Sequence, residues 1–571
     1  MKTPLLSLLL GATLFFAHDL AAQPADPAQV AVNRLPNNQG KDVPPDTELT
    51  FTFASAPALG NTGQIRIYDA ADNSVVDTID AATPATSTNY TIGGANNFHL
   101  YPVLINDHSA TIYLHGHKLG YHKTYYVQVD PGVLQINGAD WPGLAGKDAW
   151  VFSTKDTPPA ADATRLVVAA DGSGDFATVQ GAVDFVPANP AQRVTLFIRR
   201  GVYAEIVYFD GKSNLTFLGE DCDQTIIGYP NNDRFNNQQN VNEKPTTNAY
   251  HRGAFFANHV TGLEFLNLSF KNSTPKGGSQ AEALILTGSR NLISHCRFSS
   301  FQDTIQINGS AYVADSFIEG DTDYLWGRGP VFFANCELKA LTSGAPYMQI
   351  RNTVANHGFI YDHCTFDGAP GVANITLARI APATYPNSEV VLLDCALGPQ
   401  LSASAWRLDT AARGGAPVEP SVATGAENLH FWEFHSTNLN DGTPADVSKR
   451  AAFSKQLTLE QDAETIKNYR DPGYVLGWTP QLSPLVLASP TWQATALGGT
   501  GSFTLRVTAA AVPAPAYQWM KNGVALKDGD GVAGATSATL ILSKLASASI
   551  GDYSVVISNA VGSVTASAAK P

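Results

Sequence analysis

Between residues 163 and 482 a four-residue pattern recurs: a polar residue, a small or apolar one, any residue, then an apolar one. It reads Asn214-Leu-Thr-Phe217, Asn267-Leu-Ser-Phe270, His295-Cys-Arg-Phe298, Asp315-Ser-Phe-Ile318, Asn335-Cys-Glu-Leu338, His363-Cys-Thr-Phe366 and Asp394-Cys-Ala-Leu397. From Leu268 onward the second position advances by 28, 20, 20, 28 and 31 residues. β-rich segments repeating at such intervals, broken by Gly, Asn and Asp, predict a solenoid whose coils stack strand on strand. Helix periodicity and the leucine consensus are both missing, so the pattern fits a parallel β-helix. Its second position points inward as a ladder of Leu, Cys and Ser, and the polar residue before it forms another ladder at a turn.

The flanks read differently. Residues 24–156 alternate short apolar-rich runs (Leu49 to Phe53, Gln64 to Tyr68, Thr124 to Val129, Ala149 to Ser153) with Pro, Gly, Asn and Asp turns, which predicts a small β-sandwich. The stretch resembles bacterial immunoglobulin-like modules at Pro45 to Thr47 and at Trp150 to Thr154, and Thr157-Pro-Pro-Ala160 reads as a linker. Residues 488–571 resemble the immunoglobulin fold as well. Trp519, Asn522-Gly523 and Gly551-Asp-Tyr553-Ser-Val555 look like its core tryptophan and tyrosine corner. Leu505 and Val555 stand where bridging cysteines are expected, so apolar packing must replace the disulfide. Residues 1–22 have the order of a secretory signal peptide: Lys2, the apolar run Leu5 to Ala17, then small residues at Ala21 and Ala22. Secretion, extracellular or periplasmic, is expected, and no later run reaches the ~18 apolar residues of a membrane span.

Composition narrows the function classes. A chain of 571 residues predicts about three domains. With 44% hydrophobic and 15% charged residues, 48 Gly and 34 Pro, it is too apolar for disorder and too punctuated for long helices, so an all-β protein is expected. A net charge of −14 offers no footprint for a phosphate backbone, which argues against nucleic acid as partner. The five cysteines are odd in number, lack C-x-x-C spacing and mostly occupy the inward ladder, so neither a disulfide scaffold nor zinc is expected. His99, His108, His115, His117 and His122 have no acidic or cysteine partner at ligand spacing and read as solvated loop residues. No metal or cofactor is expected, and a monomer is the expected state.

Register yields chemistry. Asp303 lies seven residues after Cys296 and Asp323 seven after Ser316, so the two share one phase in consecutive 20-residue coils. Neighbouring parallel strands lie ~4.8 Å apart, which stacks two carboxylates on one face. Such a pair cannot ionise independently, and one member should keep its proton near neutral pH. A metal pair or a solvated charge column are the rival readings, and the next coil brings no further carboxylate cluster to favour a metal. Gln302 and, 22 residues earlier, Gln280 flank the pair with amides that can donate to an oxygen gaining negative charge.

Together Gly201-Val-Tyr203-Ala-Glu205, Gln280-Ala-Glu-Ala-Leu284, Gln302-Asp-Thr-Ile305, Asp323-Tyr-Leu-Trp-Gly327 and Leu377-Ala-Arg379 resemble, in order and spacing, the signature set of pectin methylesterases (pectinesterases). Gly172 to Phe176, Gln349-Ile-Arg351 and Gly477 to Pro480 match as well, so the resemblance spans 163–482. It implies a right-handed parallel β-helix flanked by two immunoglobulin-like sandwiches, acting on methylated homogalacturonan (pectin). It further implies Asp323 as nucleophile, Asp303 as general acid and then base, Gln302 and Gln280 as oxyanion holders, and Arg379 as the cation orienting Asp323. Arg351 is expected to bind substrate. Where the family usually shows Arg-Pro-Trp, this chain has Arg379-Ile-Ala-Pro382, and Gln306 stands where an aromatic often sits. Trp326 is the expected compensating sugar platform, and Tyr324 beside it is read either as part of that platform or as a core residue. An esterase on another sugar ester such as acetyl, a polysaccharide lyase and a non-catalytic wall-binding protein are the alternatives.

Overall fold

The computed structural model describes residues 32–236, 251–410, 426–497, 500–543 and 549–568, so the leader expected at 1–22 lies outside the described residues. In the middle of the chain the strands pair in parallel. A seventeen-stranded sheet runs from Arg165–Val168 to Lys455–Gln456, and a nine-stranded sheet from Gly201–Tyr203 to Thr437–Asn438. The long strands Leu284–Ser294 and Ile305–Ala314 each pair with two separate strands of a neighbouring coil, so the larger sheet supplies two walls of a parallel β-helix. Glycines make that corner: a Cβ at Gly309 would fall 1.6 Å from the carbonyl oxygen of Gly288.

The repeated polar residue has a conformational cause. Asn267, His295, Asp315, Asn335, His363 and Asp394 all take left-handed backbone angles, with φ between 49° and 59°. After glycine, Asn, Asp and His adopt this region most readily. The left-handed residue lies off the apolar core, although Asn267 is itself covered and donates to the Gly219 carbonyl, and its successor turns in: Leu268, Cys296, Ser316, Cys336, Cys364 and Cys395 are all buried. The four ladder cysteines are free thiols, each donating a weak hydrogen bond to the preceding coil, as from Cys296 Sγ to the Phe265 carbonyl at 3.3 Å.

Among the described residues three α-helices interrupt the strand pattern. Val179–Phe185 opens on Thr178, whose hydroxyl accepts from the Gly181 N–H, and buries Val179, Ala182 and Val183 in the solenoid core. Leu459–Tyr469 and Pro472–Leu476 follow the last coil and lay Tyr469, Val475 and Leu476 on the outer wall at Phe332, Ile360 and Val391. The repeat pattern does not anticipate them.

Both flanks are sandwiches of mostly antiparallel strands; in the N-terminal one Gly40–Val43 pairs in parallel with Val151–Thr154. The N-terminal one packs a four-stranded against a five-stranded sheet around Phe51, Trp141 and Trp150. The C-terminal one buries Trp519, Leu505 and Val555 completely, and the Tyr553 hydroxyl donates to the Ser549 carbonyl at 2.8 Å, the tyrosine corner.

The N-terminal sandwich is docked on the solenoid. Asp46 accepts from the Ala177 N–H (3.1 Å), the Thr178 N–H (2.8 Å) and the Thr178 hydroxyl (2.8 Å). On the solenoid side Glu205 accepts from the Val179 and Gln180 N–H groups at 2.7 and 2.9 Å, holding the helix start that Asp46 grips. A hairpin, Tyr90–Ile92 with Ala95–Phe98, lays Tyr90 and Phe98 against Tyr208, Phe256 and Ile285. Those three occupy successive rungs of one outer column, which continues through Gln306, Trp326 and Gln349. Replacing Asp46 by Ala leaves buried donors at 177 and 178 without their acceptor and is expected to destabilise the full chain by roughly 2–4 kcal/mol. Denaturant unfolding of the two proteins measures this, and equal midpoints would mean the grip contributes nothing.

Candidate active site

Asp303 and Asp323 end adjacent turns of the solenoid. Ile305 pairs with Leu325, and the Asp303 N–H donates to the Thr322 carbonyl at 3.1 Å, which sets the two aspartates one rung apart in the same phase. Both take left-handed angles, φ 65° and 49°. The rule of the polar ladder therefore operates here too: the carboxyl stays outside, and the next residue, Thr304 or Tyr324, is fully buried. The aspartates themselves are 8% and 6% exposed.

Each carboxylate has its own arginine. Arg379 Nε donates to Asp323 Oδ1 at 2.9 Å and Nη2 to Asp323 Oδ2, while Nη1 reaches Asp409 at 2.7 Å. Asp409 also accepts from Arg407 Nε at 2.7 Å. Arg252 Nη2 donates to Asp303 Oδ2 at 3.2 Å, but the same guanidinium grips the fully buried Glu282 through Nε (2.9 Å) and Nη2 (2.6 Å) and reaches Asp233 at 3.3 Å. The two sides are thus unequally supplied: two arginines serve Asp323 and Asp409, whereas Arg252 is divided among Asp303, Glu282 and Asp233. Burial pushes the Asp303 carboxyl well above the usual carboxylate range, the charge of Glu282 adds to this, and Arg252 opposes it, with smaller effects of Asp323 (upward) and Arg351 (downward). Burial raises Asp323 as well, against the hydrogen bonds and charge of Arg379. Asp303 is therefore the member suited to hold a proton and Asp323 the one suited to be an anion.

Gln280 and Gln302 lie on consecutive coils at half-buried positions, where the Ala281 N–H donates to the Gln302 carbonyl at 3.1 Å. The Gln280 Oε1 accepts from the Ser279 hydroxyl at 2.8 Å, which turns its NH₂ away from that contact. Arg351 Nε donates to Gln349 Oε1 at 2.8 Å, and its guanidinium lies over the rings of Trp326 (4.8 Å) and Tyr385 (5.6 Å). Burial draws Arg351 below its usual range, partly offset by the Tyr385 phenol and by Asp323 and Asp303.

Comparison with known proteins bears on this arrangement. Residues 165–369 match the family model described as Pectinesterase, and residues 486–569 the Immunoglobulin I-set domain. The central part of the chain is thus similar to pectinesterases and carries a pectinesterase-type domain over residues 165–369. Pectinesterase 31 of Arabidopsis thaliana is 30% identical over 211 residues, 36% of this chain and 66% of that protein. Pectinesterase/pectinesterase inhibitor 18 of the same plant is 32% identical over 183 residues, 32% of this chain and 31% of that one. The chain thus spans from about a third to just under two thirds of these relatives' length. The pectin methylesterase from carrot aligns with a TM-score of 0.45 at 22% identity, over 57% of this chain and 95% of that structure.

Within this pectinesterase domain the structure corrects two expectations and adds two residues. Tyr324 is no sugar platform: it has no exposed surface, and its ring lies 5.3 Å from Tyr347 inside the solenoid, because the left-handed turn at Asp323 sends the following side chain inward. Trp326 does lie on the outer column, yet it is only 4% exposed, with the guanidinium groups of Arg351 and Arg252 (5.7 Å) over its ring, so it presents no open face. Beside Arg379, the cation expected at Asp323, stands a second, Arg252 at Asp303, with an unequal load. Arg252 and Glu282 escaped the sequence reading, although Glu282 stands inside the quoted Gln280 to Leu284 motif as a charged residue between inward alanines. Gln306 is fully buried beside Trp326, and its amide has no hydrogen-bond partner among the described residues. Asp362, His363 and Asp394 bring one ligand atom each within 4.8 Å of one another, but on a turn column away from the aspartate pair, and Asp394 is already held by His435 (2.8 Å) and Arg470. The buried Tyr324 hydroxyl has no hydrogen-bond partner among the described residues. Tyr324→Phe is accordingly expected to keep full turnover and to raise stability by about 1 kcal/mol, read by thermal unfolding beside an activity assay. A large loss of activity would restore Tyr324 to the site.

Proposed function

We propose that the protein is a secreted pectin methylesterase that hydrolyses methyl esters of galacturonic acid residues to methanol and free carboxylates. Similarity to pectinesterases supports the reaction class, and the observation that carries the reading is the stacked aspartate pair with its unequal cations. The Asp323 carboxylate, oriented by Arg379, attacks the ester carbonyl. Gln302 and Gln280 donate to the oxygen that gains charge in the tetrahedral intermediate. As the C–O bond to the methoxy group breaks, Asp303 gives its proton to the departing methanol, leaving an anhydride between Asp323 and the uronate. Asp303, now a carboxylate, takes a proton from water. The hydroxide formed adds to the acyl carbon, Asp323 is expelled as carboxylate, and the product is a free uronic acid. Arg351, held beside the pair, supplies a positive charge for substrate oxygens.

Two substrates fit the same residues. The methyl ester is favoured by the similarity to pectinesterases; the net charge of −14, which disfavours binding of de-esterified, anionic pectate, points to highly methylated pectin as the better substrate. A sugar acetyl ester is the second reading. A panel of methylated pectin, acetylated pectin and acetylated xylan separates them. Methanol release without ultraviolet-absorbing unsaturated ends is expected, and acetate as the main product would overturn the methyl assignment. Asp323→Asn is expected to lower methanol release at least about a thousandfold, and Gln302→Ala about a hundredfold, with circular dichroism unchanged. Retention of activity by a folded Asp323→Asn protein would end the proposal.

A further inference from the structure

The Arg252 cluster is built more firmly than a surface ion pair. Asn231, fully buried, donates from Nδ2 to the carbonyls of His251 (2.7 Å) and Gly253 (2.9 Å), fixing the peptides on both sides of Arg252. Asn236 Nδ2 donates to Asn231 Oδ1 at 2.9 Å and to the His99 carbonyl at 2.9 Å, while the His99 N–H donates to Asn236 Oδ1 at 2.7 Å. Asn272 Nδ2 donates to the carbonyls of Asn231 (2.6 Å) and Glu282 (3.0 Å). The ring of His251 stacks on Phe98 of the N-terminal sandwich at 4.2 Å. Backbones carrying Arg252 and Glu282 are thus clamped to one another and to the docked module. A buried ion pair of this kind adds little stability over an apolar pair of similar volume. Its third member, however, is Asp303.

We propose that Arg252 and Glu282 are positioning residues for the acid–base step: Glu282 neutralises Arg252, so that the guanidinium orients the Asp303 carboxyl by a hydrogen bond without stripping its proton. The inference rests on the esterase reading above and explains how Asp303 remains an acid although an arginine touches it. The charged groups facing Asp303 are Glu282 and Arg252 from the preceding coils, Asp323 from the next, Arg351 from the coil after that, and Asp233 through Arg252. Removing the charge of Glu282 takes away a repulsion and frees a cation, and both effects favour the Asp303 carboxylate. The alkaline limb of kcat/KM, where the general acid loses its proton, must then move to lower pH.

The test is the pH–rate profile of methanol release for the full chain. Glu282→Gln is expected to move the alkaline limb down by about one pH unit or more, a loss of roughly tenfold on that limb with the activity at the acidic side retained. Asp233→Asn, at the exposed end of the cluster, is expected to shift it in the same direction by a few tenths of a unit and keeps the question answerable should the buried variant not fold. The double variant Arg252→Gln/Glu282→Gln removes both charges and is expected to bring the limb back toward that of the wild type. A folded Glu282→Gln enzyme with an unmoved limb, or an unmoved limb in Asp233→Asn where the buried variants do not fold, overturns the inference. Wild-type protein inactive on every ester would instead overturn the esterase reading and leave no limb to compare.

Discussion

A single left-handed residue placed immediately before a parallel strand governs this molecule. It turns one polar side chain outward and the next inward, and it recurs coil after coil. Where two coils have equal length and both left-handed residues are aspartates, the fold itself brings two carboxyls to the spacing of neighbouring strands, ~4.8 Å. At that distance, and at 8% and 6% exposure, the pair cannot remain doubly ionised without compensation. The arginines around it answer that electrostatic demand, and their arrangement makes Asp303 better suited to hold a proton and Asp323 better suited to be an anion.

The compensation is graded rather than uniform. On the Asp323 side, Arg379 and Arg407 face Asp323 and Asp409, so cation and anion numbers match and Arg379 opposes the upward push of burial on Asp323. On the Asp303 side one guanidinium meets three carboxyls among the described residues, and a proton is the cheapest remaining neutraliser. Two identical side chains in the same backbone conformation are thus given different proton affinities through their partners.

Much of this could be read from sequence because it is periodic. The inward cysteines, the polar ladder and the shared phase of Asp303 and Asp323 all follow from counting residues along the coils. The same count places Tyr324 inside, since it follows a left-handed aspartate as Cys296 follows His295; treating it as an aromatic platform set that rule aside. Arg252, Glu282 and Asp46 were out of reach for another reason. Their partners lie 51, 30 and 131 residues away, in coils or a domain whose register no local pattern reports. Likewise the helices at 459–476 form where the apolar wall of the solenoid needs cover, a tertiary demand with no signal in the repeat.

The N-terminal sandwich bears on the chemistry through geometry rather than charge. Its hairpin covers the outer column at Tyr208, Phe256 and Ile285, and its His99 backbone closes the amide lattice that holds the peptides around Arg252. The largest electrostatic influences on Asp303, by contrast, all come from the solenoid. A guanidinium divided among three carboxyls is sensitive to small displacements, because hydrogen bonds weaken steeply with angle and distance and each loss on one partner is a gain in charge for another. Rigid amides, which carry no charge of their own, are suited to fix such a group without altering its electrostatics. Docking the sandwich therefore completes the frame of the acid while leaving the charge balance between the two aspartates to the coils that carry them.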